Sequence, residues 1–371
     1  MVYATEDAVQ HYRRALEVLQ DTKDDEGARL SVQETLGDLL ALLGNRAAAM
    51  VHYEGVGSAY HASQSMVDQA RIARKAGTLH WQAGDRAQAM ASYGRALNDL
   101  SGSAAHIEAA HLYQELGLAA FRSGDNDKAV EWAGRALKSA EQALAEPSSD
   151  APRVRKLATV AIAHATNTIG VALARSGQLD AARERIERSL AAAQDQGLLD
   201  VACRAYANLG VLYSSVEPKR AIDVSLIGLE IASRIGAASL QSYIYANLAA
   251  AYCALTESCE TEGLQAANAA AAIDRELGQL DHLAVPLIVM AQIYQCRGDL
   301  QKADEMYREA LAIAEKIGEP QLILPCYDGL ATIHLDRGDH IRAEEFMEKG
   351  RLLCERTGLD PEALLLLPFL C

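Results

Sequence analysis

The side chains with chemistry to offer in this sequence sit at fixed offsets from a small residue that recurs along the chain. The basic ones are Arg71, Arg74, Lys75, Arg122, Arg175 and Arg204. Guanidinium and ammonium groups hold carboxylates and phosphates through charge-assisted hydrogen bonds. His111, Gln114, Asn167, Asn208 and Asn247 carry neutral donors and acceptors. An amide can meet both halves of a peptide unit, so it suits an extended main chain. Trp81 and Phe121 supply the flat apolar surface that fixes a bound segment in place. This is the chemistry of recognition. The patterns of catalysis are missing: there is no phosphate-binding loop, no dinucleotide fingerprint and no G-x-S-x-G turn. His106 and His111 are five positions apart and would not share a helix face. His80 and His334 fall in an aromatic column, where packing is the expected role. Acidic runs such as Glu344-Glu345 and Asp24-Asp25-Glu26 read as solvated surface. No catalytic residue, cofactor or metal is assigned, and the chain reads as a non-enzyme.

Composition narrows the partner. The 371 residues carry a net charge of −15, which disfavours nucleic acid and anionic membrane surfaces. The acidity lies toward the two ends, and the stretch from 61 to 240 is nearly neutral. Half the residues are apolar, with Ala the commonest of them, so close helix–helix approach is expected rather than bulky sheet packing. The seven cysteines all lie from Cys203 onward, and none forms a C-x-x-C pair. They are expected to be reduced, small core residues of a cytoplasmic protein. No signal-peptide pattern is present, and no apolar run approaches the roughly 20 residues needed to cross a bilayer.

The elements that must position these side chains follow from the repeat. One column reads Gly37, Gly77, Gly117, Gly170, Gly210, Ala249, Ala291 and Ala331, a period of about forty residues. A turn glycine follows at Gly44, Gly84, Gly124, Gly177, Gly298 and Gly338, and is missing from the fifth and sixth units. A second small column runs through Ala49, Ala89, Ala129, Ala182, Ala221, Gly263, Ala303 and Ala343. Four residues later comes a large apolar position: Tyr53, Tyr93, Tyr307, Ile186 and Met347. Each unit therefore reads as a helix A, a tight turn and a helix B. The small residues let the two backbones cross closely. The turn glycine supplies the left-handed conformation that ends helix A. The Asn or Asp after it can cap helix B.

These residues resemble the tetratricopeptide repeat family, whose pattern W-x2-L-G-x2-Y … A-x3-F-x2-A … P is followed in phase by eight units. Tyr stands in place of the leading Trp at Tyr113, Tyr206, Tyr245 and Tyr327. The long period, with helix endings such as "ALAIAEKIG" (310–318), is similar to the subclass found in kinesin light chain and in the C-terminal arrays of bacterial signalling ATPases and cyclases. The resemblance implies an all-α right-handed superhelical solenoid. Its expected bounds are a half repeat at 1–27, eight full repeats over 28–360 with an inserted loop near 146–152, and an apolar C-terminal segment at 361–371. The sixth unit has "LTESCETEG" (255–263) in place of a tight turn.

In that family the A helices line a concave groove, and the resemblance places all thirteen candidate residues there: Arg71, Arg74, Lys75, Trp81, His111, Gln114, Phe121, Arg122, Asn167, Arg175, Arg204, Asn208 and Asn247. In repeats two to five the groove columns hold six basic side chains and one acid, Glu115. A basic groove in an acidic protein suits a protein or peptide partner with an acidic segment. The same cations would serve equally by pairing with neighbouring carboxylates. The expected function is a protein–protein interaction scaffold, and by resemblance the sensor portion of a larger bacterial signalling protein. The alternatives are a module that dimerises through its apolar C-terminal segment, and a sensor of a small peptide or anionic ligand.

Overall fold

The computed structural model describes residues 2–20, 25–101, 105–146, 150–214, 216–255, 258–366 and 370, and among them no strand occurs. Helix α1 (Val2–Gln20) is followed by antiparallel pairs: α2 (Glu26–Leu42) with α3 (Arg46–Ala62), α4 (Met66–Gln82) with α5 (Arg86–Asp99), and α6 (His106–Arg122) with α7 (Asn126–Ala145). Next come α8 (Ala151–Arg175) with α9 (Leu179–Asp195), α10 (Leu199–Ser214) with α11 (Pro218–Ile235), and α12 (Ala238–Ala254) with α13 (Leu264–Leu277). The last pairs are α14 (Leu280–Cys296) with α15 (Leu300–Ile317) and α16 (Pro320–Asp336) with α17 (His340–Thr357), before the short α18 (Pro361–Leu366). The pairs stack side by side into a right-handed all-α superhelix.

The local causes are those of the repeat. Gly44, Gly84 and Gly124 have φ of +77°, +81° and +88°, the left-handed conformation that lets the chain turn between helices. Asn45, Asp85 and Asp125 then accept the backbone N–H of Ala48, Gln88 and Lys128 at 3.2, 3.1 and 3.0 Å, capping the second helix of each pair. At the crossing, a Cβ on Gly77 would lie 2.6 Å from Cε1 of Tyr93, and one on Gly170 2.6 Å from Cγ1 of Ile186. The small column therefore exists to admit the large side chain opposite.

The structure departs from the sequence reading in three places. The extra residues near 146–152 enter helices more than a loop: α7 has 20 residues and α8 has 25, against 17 for α6. Asp150 caps α8, and Pro152 sits in its first turn, where a missing N–H costs nothing; residues 147–149 lie outside the described residues. Second, α8 is long and apolar enough to cross a membrane by length and composition, which no run of the sequence was expected to be. Its helical neighbours enclose it: 56% of its apolar window is buried. Third, Met347 is 60% exposed, and the aromatic position of the last pair is filled by Phe346, stacked 5.7 Å from the ring of His334. In the sixth pair, where the sequence lacks a tight turn, a π-helical turn, Cys259–Gly263, leads into the second helix. The C-terminal helix α18 packs on α16 and α8 of its own chain, leaving Leu365 exposed while Leu370 is buried; residues 367–369 and 371 lie outside the described residues.

The superhelix winds far enough for its two ends to meet. Gly44 faces Leu277, Gly84 faces Ile317 and Gly124 faces Leu359, so three consecutive turns of the first half rest on three consecutive helix ends of the second. Arg46, the first residue of α3, donates to the carbonyl of Leu277 at 2.8 Å and to that of Gly278. Arg86, at the same place in α5, pairs with Glu319, the residue that precedes α16.

Candidate functional site

Closure turns the expected open groove into a partly covered axial space. Where α4, α6, α8, α10, α12 and α14 converge, a cavity of about 260 Å³ remains. Thr78, Trp81, Gln82, Leu118, Glu115, Arg122, His164, Arg204, Tyr243 and His282 line it, with Asp200, Ser239 and Leu240 at one side. Of the thirteen candidates, Trp81, Arg122 and Arg204 reach this cavity.

The remaining candidates have other surroundings. Arg71 holds Glu34 through two hydrogen bonds, 2.8 Å from Nε and 2.9 Å from Nη2, and also meets Asp68 at 2.5 Å. Lys75 lies 2.7 Å from both Glu34 and Asp38, and Arg74 lies 2.5 Å from Glu108. A uniformly basic wall is therefore not what these positions form. Glu34 and Asp38 stand three before and one after Gly37, in groove columns of the first repeat that the reading of repeats two to five left out, whereas Asp68 and Glu108 stand nine before Gly77 and Gly117; together they neutralise the cations in place. Burial alone would raise the Glu34 carboxyl. Hydrogen bonds from Arg71 and Lys75, with their charges, overcome that and hold it down at about 2. Burial, reinforced by the charge of Arg74, lowers His111 to about 3, so this imidazole is neutral. Gln114, Phe121, Asn167, Asn208 and Asn247 are buried. Asn247 donates through Nδ2 to the carbonyl of Ala207 at 3.0 Å, tying α12 to α10. The guanidinium of Arg175 lies 5.6 Å from the Phe121 ring centre and donates to Gln321 Oε1 at 2.8 Å. Burial lowers it to about 10, which leaves it a cation at neutral pH.

In the cavity the polar groups are less completely used. The indole N–H of Trp81, Nη1 of Arg204 and Nδ1 of His164 are buried without a hydrogen-bond partner within the protein. Such groups cost free energy until something meets them. Burial, with the charge of Arg204, pushes His164 well below its usual range, so its ring is neutral and can accept at one nitrogen. Trp81 is held in place from outside the cavity: the Arg86 guanidinium stacks 3.7 Å from its ring centre. Arg122 is 6% exposed, with Nε 3.9 Å from the Glu319 carboxylate. The ion cluster that joins the two ends of the superhelix thus also forms one wall of the cavity.

Sequence reasoning missed that cluster. Glu319 precedes α16 and Gln321 lies in its first turn, and nothing in a nearest-neighbour pattern points across the axis. Arg46 and Arg86 do share a register, directly after Asn45 and Asp85, and that signal could have marked them. His164 stands in the groove columns but was not singled out. Among the described residues, no group of three or more His, Cys, Asp or Glu side chains is arranged to hold a metal ion.

Comparison with known proteins agrees with this geometry. Profiles of the tetratricopeptide repeat match residues 282–355 and 110–142. No curated protein sequence matches significantly. Among solved structures, the chain is similar to a Rap protein complexed with competence and sporulation factor, at 12% identity and a TM-score of 0.59, over 89% of this chain and 99% of that one. It is likewise similar to the Rap conjugation gene regulator of the plasmid pLS20 in complex with a Phr peptide, at 12% identity and a TM-score of 0.59, over 96% of each chain. A third similar structure is aspartyl phosphate phosphatase F from Bacillus subtilis, at 11% identity and a TM-score of 0.55, over 96% of this chain and 92% of that one. At these identities the likeness is one of fold.

Proposed function

We propose that this chain, whose residues 110–142 and 282–355 match tetratricopeptide repeats, is a receptor for a protein or peptide segment, part of which enters the axial cavity. The observation that carries the reading is the set of unmet polar groups around that cavity: the Trp81 N–H, Arg204 Nη1 and His164 Nδ1. Two guanidiniums and an indole N–H are suited to a carboxylate, from an acidic side chain or a chain terminus. Glu115 and Asp200 on the same lining oppose a densely charged anion, and favour a segment that carries a donor as well. The complex of one fold relative with a Phr peptide supports the peptide class. A cavity of this size takes one or two groups rather than a whole segment. The rest of the segment would therefore lie along the axis outside it. The phosphatase name of one fold relative is not carried over.

Trp81 supplies the test, because Trp132 is the other tryptophan in the chain. A partner recovered by affinity capture from cell extract would be titrated, as a synthetic segment, into Trp132→Phe protein. The emission of Trp81 should shift saturably. Arg204→Met should weaken binding by about tenfold or more, the equivalent of one charge-assisted hydrogen bond. A partner that binds with no change in Trp81 emission and equal affinity for both proteins would place binding elsewhere.

A further inference from the structure

The sixth repeat is the one whose corner is built differently, and it gathers three cysteines from three elements. Cys253 lies in the last turn of α12, Cys259 opens the π-helical turn and Cys296 ends α14. The thiol of Cys259 donates to Sγ of Cys253 across 3.0 Å. Cys259 is buried, Cys253 is partly exposed and Cys296 is exposed. Six of the other corners within a pair turn on a left-handed glycine, at Gly44, Gly84, Gly124, Gly177, Gly298 and Gly338. Here two sulfur atoms meet at that point.

We propose that Cys253 and Cys259 form a reversible dithiol–disulfide site, oxidised by exchange with a small-molecule disulfide. The partly exposed Cys253 thiolate attacks one sulfur of the small disulfide and expels the first thiolate. Cys259 then attacks the Cys253 sulfur of the mixed disulfide and expels the second. The protein loses two thiol protons and two electrons, and one small disulfide becomes two thiols. The expected consequence is mechanical. The bond would fix the start of α13 against the end of α12. The first of these helices ends at Leu277, where Arg46 docks, and the second carries Tyr243 into the cavity. Burial, reinforced by the hydrogen bond and charge of Cys259, raises the Cys253 thiol, so exchange at neutral pH is slow and the site is read at equilibrium.

Trypsin offers a direct assay. Cleavage after Arg234 and Arg275 leaves Cys253 and Cys259 in one peptide, 235–275, while Cys296 falls in the next, 276–297. The wild-type protein would be equilibrated in glutathione buffers from fully reduced to fully oxidised, alkylated in denaturant, digested and weighed. The expected result is that peptide 235–275 loses both alkylation sites and two hydrogen atoms together, at one glutathione ratio, and recovers them on reduction. Cys296→Ser protein should behave identically. Three results would overturn the proposal: both cysteines of 235–275 still alkylated in the most oxidising buffer, a cross-link between 235–275 and 276–297, or glutathione adducts without an internal disulfide.

Discussion

Between α2 and α6 the facing sides of successive A helices are joined by charge, with Glu34 and Asp38 reaching Arg71 and Lys75, and Arg74 reaching Glu108. Between α14 and α16 the corresponding helices present Leu287, Ile288, Ile293, Leu322, Leu330 and Ile333, all buried. The apolar core follows the same division. One large cluster reaches from Phe121 to Leu370, whereas small separate clusters make up the core before Phe121 and part of it as far as Ala202. The repeat pattern is the same in both regions, so the difference comes from position in the superhelix. The later A helices lie inside the closed turn, with α14 touching α4 across the axis, and buried faces are apolar. The earlier ones keep water on one side and can afford ion pairs. The two regions meet at Glu319, and that is where the comparison is most easily broken.

The largest effect is expected there. Glu319→Ala removes the buried carboxylate shared by Arg86 and Arg122. Denaturant unfolding should show a loss of about 3–5 kcal/mol. The next concerns the continuous core. Gly210 faces the Ser225 hydroxyl and the Ala221 carbonyl, so Gly210→Leu should overpack the crossing and cost about 1–3 kcal/mol by the same assay. Gly94 is the control, with nothing within 4 Å of a Cβ placed there. Gly94→Ala should raise stability by about 0.5–1 kcal/mol, through the lower chain entropy of the unfolded state.

The ion-paired region carries a pH signature. The Glu34 carboxyl is depressed from 4.5 to about 2 in the fold. Its contribution is therefore complete above pH 4.5 and is lost as pH falls toward 2. Glu34→Gln should lower stability at pH 7 and flatten that acid limb, seen as a smaller fall in Tm between pH 5 and pH 3 than in the wild type. At the low end, Arg351 pairs with Glu348 and Glu355 on an exposed face, and Arg351→Ala should leave Tm unchanged.

Much of this was legible in the sequence. The column glycines, the turn glycines and the caps at Asn45, Asp85 and Asp125 are local features, and local features leave a period. The basic residues were legible as a set but not by role, because an arginine reads alike whether it awaits a partner or already has one. Arg71 and Lys75 have partners within reach in the preceding repeat and Arg74 in the next, whereas Arg204 keeps a nitrogen unmet beside the cavity. The closure of the superhelix was not legible at all. It depends on the small rotation between units accumulating over the whole array, so Arg86 meets Glu319 across 233 positions with no sequence sign linking them.

That contact is also the most direct test of the central claim, that the superhelix closes on itself and so creates the cavity. A double-mutant cycle with Arg86→Met, Glu319→Gln and the pair, followed by denaturant unfolding, isolates their coupling. Closure predicts a coupling of about 1.5 kcal/mol or more for a partly buried charge pair in contact. Single-mutant effects that add to within about 0.5 kcal/mol would mean that the two residues do not touch, and that the superhelix is open in solution.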